Sequence, residues 1–334
     1  MTALKPPDQP GAIKVPRHLY ELPLRVGTRA SPLALAQTRS FLAVLRHFCP
    51  VLRTLEVFEE HAITTTGDRV QDRRLAEIGG KGLFAKEIHE ALAARRVDFA
   101  VHSLKDLETT LPPSIVLACT LKREDARDAL ILGPGAVRAR PDEPYSALEA
   151  GTVVGTSSVR RQAQLLHARP DLSIVPLRGN VGTRLARIRD GQPQAGVLAL
   201  AGLRRLEIAG SNIVPLDPDT MVPAAGQGII GVTVRADDGE LRELLAAIED
   251  REAASVATAE RSLLAALDGS CRTPIGGYAR LEAPESICLT GLVARADGSF
   301  LLKRSLAGPA RDAGRIGREL GARLRAESPA DLFA

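Results

Sequence analysis

The chain has no Trp, three Tyr and seven Phe, so aromatic residues are 3% of its 334 residues. Proteins that bind single-stranded nucleic acid stack bases on aromatic side chains, and this sequence offers few. It also lacks a strong excess of either charge: 44 basic residues face 40 acidic ones, a formal net charge of +4. A nucleic-acid binder concentrates positive charge on one face. No apolar run reaches the roughly 18 residues of a membrane span, and the opening segment has no continuous apolar core of a secretory signal. No nucleic-acid or membrane partner is expected, and a cytoplasmic location is. Cysteine is sparse: Cys49, Cys119, Cys271 and Cys288 form no CxxC pair, which argues against a zinc ribbon, a thioredoxin-type motif or a disulfide framework. The six His are scattered without an HExxH pattern, so no metal site is expected.

What remains is an ordinary globular composition, 45% hydrophobic and 25% charged, in a chain long enough for two or three domains. Met1–Pro23, rich in Pro and polar residues, reads as a loose extension. Seven of the basic residues are Lys and 37 are Arg. Arg presents a planar fork of donors that grips carboxylates and phosphates in pairs. A codon bias accounts for the total as readily as function does, but not for where the Arg residues cluster.

Leu24–Thr28 reads as a strand leading to Arg29-Ala-Ser31-Pro32, where Ser31 suits a helix N-cap and Pro32 the first turn. Ala34, Phe41, Leu45 and Phe48 share one face of the helix that follows. A polar, Gly-containing loop runs from Thr64 through Gly67-Asp68 to Gly82, and a helix is expected from about Phe84. Its Gly80-Lys81-Gly82 is not a P-loop, since the spacing and the Lys-Ser/Thr pair are missing. The strand Phe99–Val101 leads to Lys105-Asp106. Further strands at Thr152–Gly155, Ile174–Leu177, Ala195–Leu200 and Ile229–Val234 alternate with helices, the pattern of α/β domains with largely parallel sheets. The tail changes to helix, three strands and helix, a small α+β domain.

Arg recurs at the strand-to-helix turns. Thr156-Ser-Ser158-Val-Arg160-Arg161 places two cations at a helix N-terminus, where the dipole disfavours them unless an anion is present. Arg178-Gly-Asn-Val-Gly-Thr-Arg184 repeats the arrangement, with Gly179 and Gly182 opening the backbone to a ligand, and Arg29 beside Ser31 repeats it again. One such turn reads as readily as a structural Arg; three point to a polyanion site, and in such folds these loops gather at the carboxyl ends of strands. On residues alone, Lys105-Asp106 is either a structural ion pair or a functional one. Cys271 is either an inert thiol or an exposed nucleophile, and Phe84 either core or ligand packing.

Taken in order, eight segments resemble the motifs of porphobilinogen deaminases. They are Arg25-Val-Gly-Thr-Arg-Ala-Ser-Pro-Leu-Ala-Leu-Ala-Gln37, Gly80-Lys-Gly-Leu-Phe84, Val101-His-Ser-Leu-Lys-Asp106 and Gly155-Thr-Ser-Ser-Val-Arg-Arg161. Leu177-Arg-Gly-Asn-Val-Gly-Thr-Arg184, Ala201-Gly-Leu-Arg-Arg205, Pro223-Ala-Ala-Gly-Gln-Gly228 and Gly269-Ser-Cys-Arg-Thr-Pro-Ile-Gly276 complete them. The resemblance implies two periplasmic-binding-protein-like α/β domains plus a small C-terminal α+β domain: residues 24–122 with 229–246, residues 123–228, and residues 247–334. It implies a monomeric transferase that joins four porphobilinogen molecules head to tail into hydroxymethylbilane, releasing ammonia, on a dipyrromethane cofactor bound by thioether to Cys271. By the same resemblance Lys105, Ser158, Arg160 and Arg161 hold the cofactor. Arg29, Ser31, Arg178 and Arg205 hold the incoming unit, Arg184 serves both, and Asp106 is the catalytic carboxylate. Residues 64–82 match a mobile active-site loop, with Asp68 and Phe84 as lid or pyrrole-packing residues. One departure stands out: Glu108 occupies a position where the family often has Pro, which puts an extra anion near the site. The competing reading from the residues is a non-catalytic anion-binding module of the same bilobal fold.

Overall fold

A computed structural model of the chain describes residues 22–53, 57–70, 82–136, 140, 143–267 and 273–333. Cys271 and the Gly79-Gly80-Lys81 run lie outside them. So does most of the expected extension, although Leu22 already packs against the first core.

The chain runs β1 (Leu24–Arg29), α1 (Pro32–Phe48), β2 (Phe58–Ile63), the one-turn α2 (Thr66–Arg69), α3 (Lys86–Ala93), β3 (Phe99–Ser103) and β4 (Ile115–Thr120). Next come β5 (Asp128–Leu132), β6 (Val153–Gly155), α4 (Val159–Ala168), β7 (Ser173–Val175), α5 (Val181–Arg189), β8 (Ala195–Ala199), α6 (Leu200–Arg205) and β9 (Ile213–Pro215). β10 (Ile230–Arg235) and α7 (Gly239–Ala246) follow, then α8 (Arg251–Ala266), β11 (Ile275–Ala283), β12 (Ser286–Ala294), β13 (Leu301–Pro309) and α9 (Ala313–Glu327). These make two α/β lobes and a small α+β domain.

The sheets differ from the expected parallel pattern in one strand each. The first lobe has order β2-β1-β3-β10-β4 and the second β7-β6-β8-β5-β9. β10 is antiparallel to both its neighbours, and so is β5. Each reversed strand is the first one formed after the chain crosses between lobes. Reversal brings the N-terminal ends of β5 and β10 to the rim where the parallel strands finish: Asp128 pairs with Ala199 and Ile230 with Ser103. Both crossings therefore pass along the cleft rim.

Local chemistry explains the helix starts at that rim. Ser31 caps α1, its Oγ accepting from Ala34 N at 3.3 Å, with Pro32 in the first turn. Ser158 caps α4 from Arg161 N at 3.4 Å, and Asn180 caps α5 from Thr183 N at 2.9 Å. In α1, Ala34, Phe41, Leu42 and Leu45 face the core, whereas Phe48, expected among them, is 50% exposed at the helix end. The helix expected from Phe84 begins at Lys86, leaving Phe84 in the preceding turn, and the loop expected over 64–82 contains α2.

The third domain packs α8 and α9 against its sheet through Leu263, Leu289, Leu320 and Leu324, all fully buried. It is joined to the crossings by Glu260 of α8, which is 0% exposed. The Glu260 carboxylate accepts from Arg123 Nη1 at 2.7 Å, Gly226 N at 2.6 Å and Ala279 N at 2.7 Å. Arg123 in turn donates from Nε to Gln227 O at 2.9 Å. One buried carboxylate thus ties the C-terminal domain to both interlobe segments.

Candidate active site

A cavity of about 590 Å³ lies at the rim between the lobes, reaching the third domain at Thr273 and Ile275. Its size suits a small-molecule site. Arg29, Lys105, Arg160, Arg161, Arg178 and Arg184 line it, together with Ser31, Asp68, Phe84, Asp106 and Ser158. A second hollow, of about 480 Å³, lies at the second lobe's edge between Val153 and Pro193; it contains Arg187 and none of the predicted residues.

Arg29 organises the first-lobe wall. Its Nε donates to Asp68 Oδ2 at 3.2 Å and its Nη2 to Asp68 Oδ1, while Nη1 donates to Asp106 Oδ2 at 3.2 Å. The guanidinium lies 4.2 Å from the centre of the Phe84 ring, a cation–π contact. Burial pushes the Asp68 carboxyl up, but Arg29 and Thr65 more than offset this and hold it below the usual range. Asp68 and Phe84, on either side of residues 71–81, therefore both sit on Arg29. Asp106 ends a 3-10 turn (Leu104–Asp106) directly after β3. Its Oδ2 is held by Arg29, and Oδ1 has no hydrogen-bond partner among the described residues.

The second-lobe wall is more strongly positive. Asp128, 0% exposed, lies behind Arg160 and Arg161, which are 5% and 7% exposed. Arg161 donates from Nε and Nη2 to Asp128 Oδ1 at 3.1 and 2.7 Å. Arg160 Nη1 lies 2.8 Å from Asp128 Oδ2 but aligns its hydrogen bond on Val222 O at 2.6 Å. Burial pushes the Asp128 carboxyl up, yet the two guanidiniums outweigh it and hold it well below the carboxylate range. The protein itself thus supplies one of the anions that the basic helix start demands, and one carboxylate serves two cations. Arg184 donates from Nε to Gly179 O at 2.7 Å, where φ of +106° requires Gly. Burial, with Arg161 and Arg178 nearby, pushes Arg184 down to about 10. The Lys105 side chain is exposed within the cavity, and protein surrounds that cavity. Burial and the neighbouring Arg161 push its ammonium down to about 8, and its Nζ donates to Gln227 Oε1 at 3.2 Å.

Arg178 and Arg205 spend donors on backbone as well. Arg178, 6% exposed, reaches across the cleft to Gly67 O at 3.2 Å and Val70 O at 2.7 Å, holding α2 against the second lobe. Arg205 does not line the cavity; its Nη2 donates to Gly228 O at 2.6 Å. Asp128 and Gln227 were not singled out from sequence. Gln227 Nε2 donates to Asp128 Oδ1 at 2.9 Å and to Ala126 O at 2.7 Å, so its amide joins Lys105 to the Asp128 cluster across both crossings. The available signal for Asp128 was a charge heading the apolar strand Asp128-Ala-Leu-Ile-Leu132.

This geometry can be set beside known proteins. Residues 24–243 match the family model described as porphobilinogen deaminase, dipyromethane cofactor binding domain, and residues 254–326 match the porphobilinogen deaminase C-terminal domain. The chain belongs to the porphobilinogen deaminase family. A porphobilinogen deaminase of Paracoccus denitrificans is 48% identical, over 93% of this chain and 96% of its own. One of Sorangium cellulosum is 45% identical over 90% and 98%, and a chloroplastic one of Oryza sativa 43% identical over 86% and 78%. Among solved structures, the periplasmic VFT2 domain of Bordetella pertussis BvgS overlaps at 16% identity and a TM-score of 0.38, covering 71% of this chain and 92% of that one. That score carries no weight beside the strand order itself.

The family's cofactor domain poses a test of fit. A dipyrromethane, two pyrroles each with an acetate and a propionate, presents four carboxylates. Arg160 Nε and Arg178 Nε are buried without a hydrogen-bond partner, and six cations line a wall whose second-lobe half is balanced by Asp128 alone among the described residues. The donor set fits a polycarboxylate.

Proposed function

We propose that this chain is a hydroxymethylbilane-forming porphobilinogen deaminase. It joins four porphobilinogen molecules head to tail with loss of ammonia, on a dipyrromethane linked to Cys271. The observation that carries this is one cavity holding a carboxylate, Asp106, opposite a cationic wall that its own anions leave under-neutralised. Cys271 itself lies outside the described residues, but it precedes the cavity-lining Thr273 by two positions, a span of at most about 7 Å.

When bound, the dipyrromethane supplies a free pyrrole α-carbon as nucleophile. Lys105, Ser158, Arg160, Arg161 and Arg184 would hold its carboxylates, through the donors that protein groups leave open. Arg29, Ser31 and Arg178 would hold the incoming unit. Arg29 and Arg178 are engaged with Asp68 and α2 here, so substrate carboxylates would take the donors that these contacts leave open, Arg178 Nε among them. Loss of ammonia puts positive charge on the substrate's methylene pyrrole. Asp106, fixed through Oδ2, offers Oδ1 to that charge and then accepts the proton released as the new C–C bond rearomatises. At about 4 Å and an effective dielectric near 20, the attraction is about 4 kcal/mol, roughly three decades of rate. The expected contact of Arg205 with substrate finds no support in the geometry.

The same reading includes a monomeric, cytoplasmic enzyme. Its test is the intact mass of the denatured chain beside a Cys271→Ala variant. Added mass equal to two linked pyrrole units, absent from the variant, is expected. Bare polypeptide mass from a host that makes porphobilinogen, with no gain on incubation with it, would return the chain to the anion-binding reading.

A further inference from the structure

Porphobilinogen carries one cation, the ammonium of its aminomethyl arm, besides two carboxylates. The cavity is built mainly of cations, so that ammonium needs a defined place. Four carboxylates line the wall. Asp68 and Asp106 are both ion-paired with Arg29, and Glu260 is paired with Arg123. Glu108 has no ion pair among the described residues, and its Oε2 is buried without a hydrogen-bond partner.

The neighbours that could neutralise Glu108 are otherwise engaged. Arg261 of α8 donates to the carbonyls of Leu107, Glu108 and Thr109, at 3.4, 2.6 and 3.3 Å, and so fixes the turn; its charge acts on the Glu108 carboxylate only at a distance, with no hydrogen bond or ion pair between them. His89 is buried, and that burial pushes its imidazole towards the neutral form despite Glu108. The carboxylate lies against Gly82: a Cβ built there would sit 1.8 Å from Glu108 Oε1. Glu108 follows Asp106 by two residues, at most about 7 Å of chain, and both face the same cavity.

We propose that Glu108 binds the ammonium of the incoming porphobilinogen and thereby aims its methylene carbon at Asp106. This rests on the functional reading above. The ammonium is kept protonated, so the C–N bond breaks with both electrons going to nitrogen. Neutral ammonia departs, and the positive charge passes to the methylene pyrrole beside Asp106. Glu108 is thus a substrate-binding and specificity residue that works next to the catalytic carboxylate.

The test compares the holoenzyme with Glu108→Gln and Glu108→Asp. It measures KM for porphobilinogen, and the inhibition constant of an analogue with methyl in place of aminomethyl. The proposal expects Glu108→Gln to raise KM about tenfold or more, with the analogue's inhibition constant within twofold of wild type and partial recovery in Glu108→Asp. A KM within twofold of wild type would overturn it. So would a parallel rise in KM and inhibition constant, which would mark a general change of the cavity. A wild-type holoenzyme that forms no hydroxymethylbilane would remove the functional reading and this proposal with it, a result distinct from an active enzyme indifferent to Glu108.

Discussion

Replacing Asp128 by Asn tests the idea that one buried carboxylate holds the cationic wall together. The substitution keeps shape and removes charge. Arg161 loses the anion that its fork grips at 2.7 and 3.1 Å, and an amide nitrogen at the Oδ2 position would face Arg160 Nη1, now 2.8 Å away, donor against donor. Two guanidiniums no more than 7% exposed then lie without an ion-pair partner among the described residues. Removing one partner of a buried pair costs about 3–5 kcal/mol. With about 2.1 cal/mol/K of unfolding entropy per residue, a chain of this length has about 0.7 kcal/mol/K, so Tm should fall by about 4–7 °C. The pH dependence gives an independent check. The folded-state pKa of Asp128 is depressed, so its contribution is complete above the ordinary Asp value near 3.9, starts to decline below that value and is gone only when pH has passed the depressed folded value. The gap between the thermal melts of the two proteins should therefore be constant from pH 7 to about pH 5 and narrow between about pH 4 and pH 3, without closing. A variant that melts within about 1 °C of wild type at pH 7, or curves that stay parallel into acid, would refute the reasoning.

Three other outcomes follow from the same geometry. Asp106→Asn should keep the covalently bound pyrroles and bind substrate, yet lose roughly three decades of turnover, measured by single-turnover kinetics beside intact mass. Lys105, assigned to the cofactor, is pushed down to about 8 by burial, so binding of a dipyrromethane carboxylate to the Cys271→Ala chain should weaken as pH rises through about 8, and calorimetry on Lys105→Met in that background should show that step gone. Gly82 has φ of +78° with Glu108 against it, so Gly82→Ala should destabilise by about 1–2 kcal/mol from backbone strain alone. Thermal melts in a Glu108→Ala background should remove any excess over that figure.

The basic turns were legible because helix N-termini and Arg at the same positions state a physical conflict. The structure resolves part of that conflict with Asp128, which gave no periodic signal. A lone Asp heading an apolar run reads as a strand boundary, and only reversal of β5 shows that it points into the cluster. β2 was missed for the opposite reason: as an edge strand with Glu59, Glu60 and His61 partly or fully exposed, it lacks a clean apolar alternation. β5 is a short buried run and β4 a partly buried one without alternation, and periodicity does not separate either from helix. Nothing local marks β10 or β5 as reversed, because that follows from the double crossing. The assignment of Asp106 over a structural ion pair came from the ordered motifs. The geometry adds that Asp106 is in fact ion-paired, with Arg29, while keeping one oxygen open.

The reversed strands also set an order of assembly. Every strand of the second sheet lies between residues 128 and 215, so that sheet can close as soon as its own stretch is made. The first sheet has a gap between β3 and β4 until residues 230–235 are synthesised. Until then the nascent chain carries two unpaired strand edges, which are templates for wrong partners. Truncation anywhere before β10 leaves the first lobe without the strand that joins β3 to β4, and the turn carrying Asp106 without the bond from Leu104 N to Ile229 O at 3.0 Å.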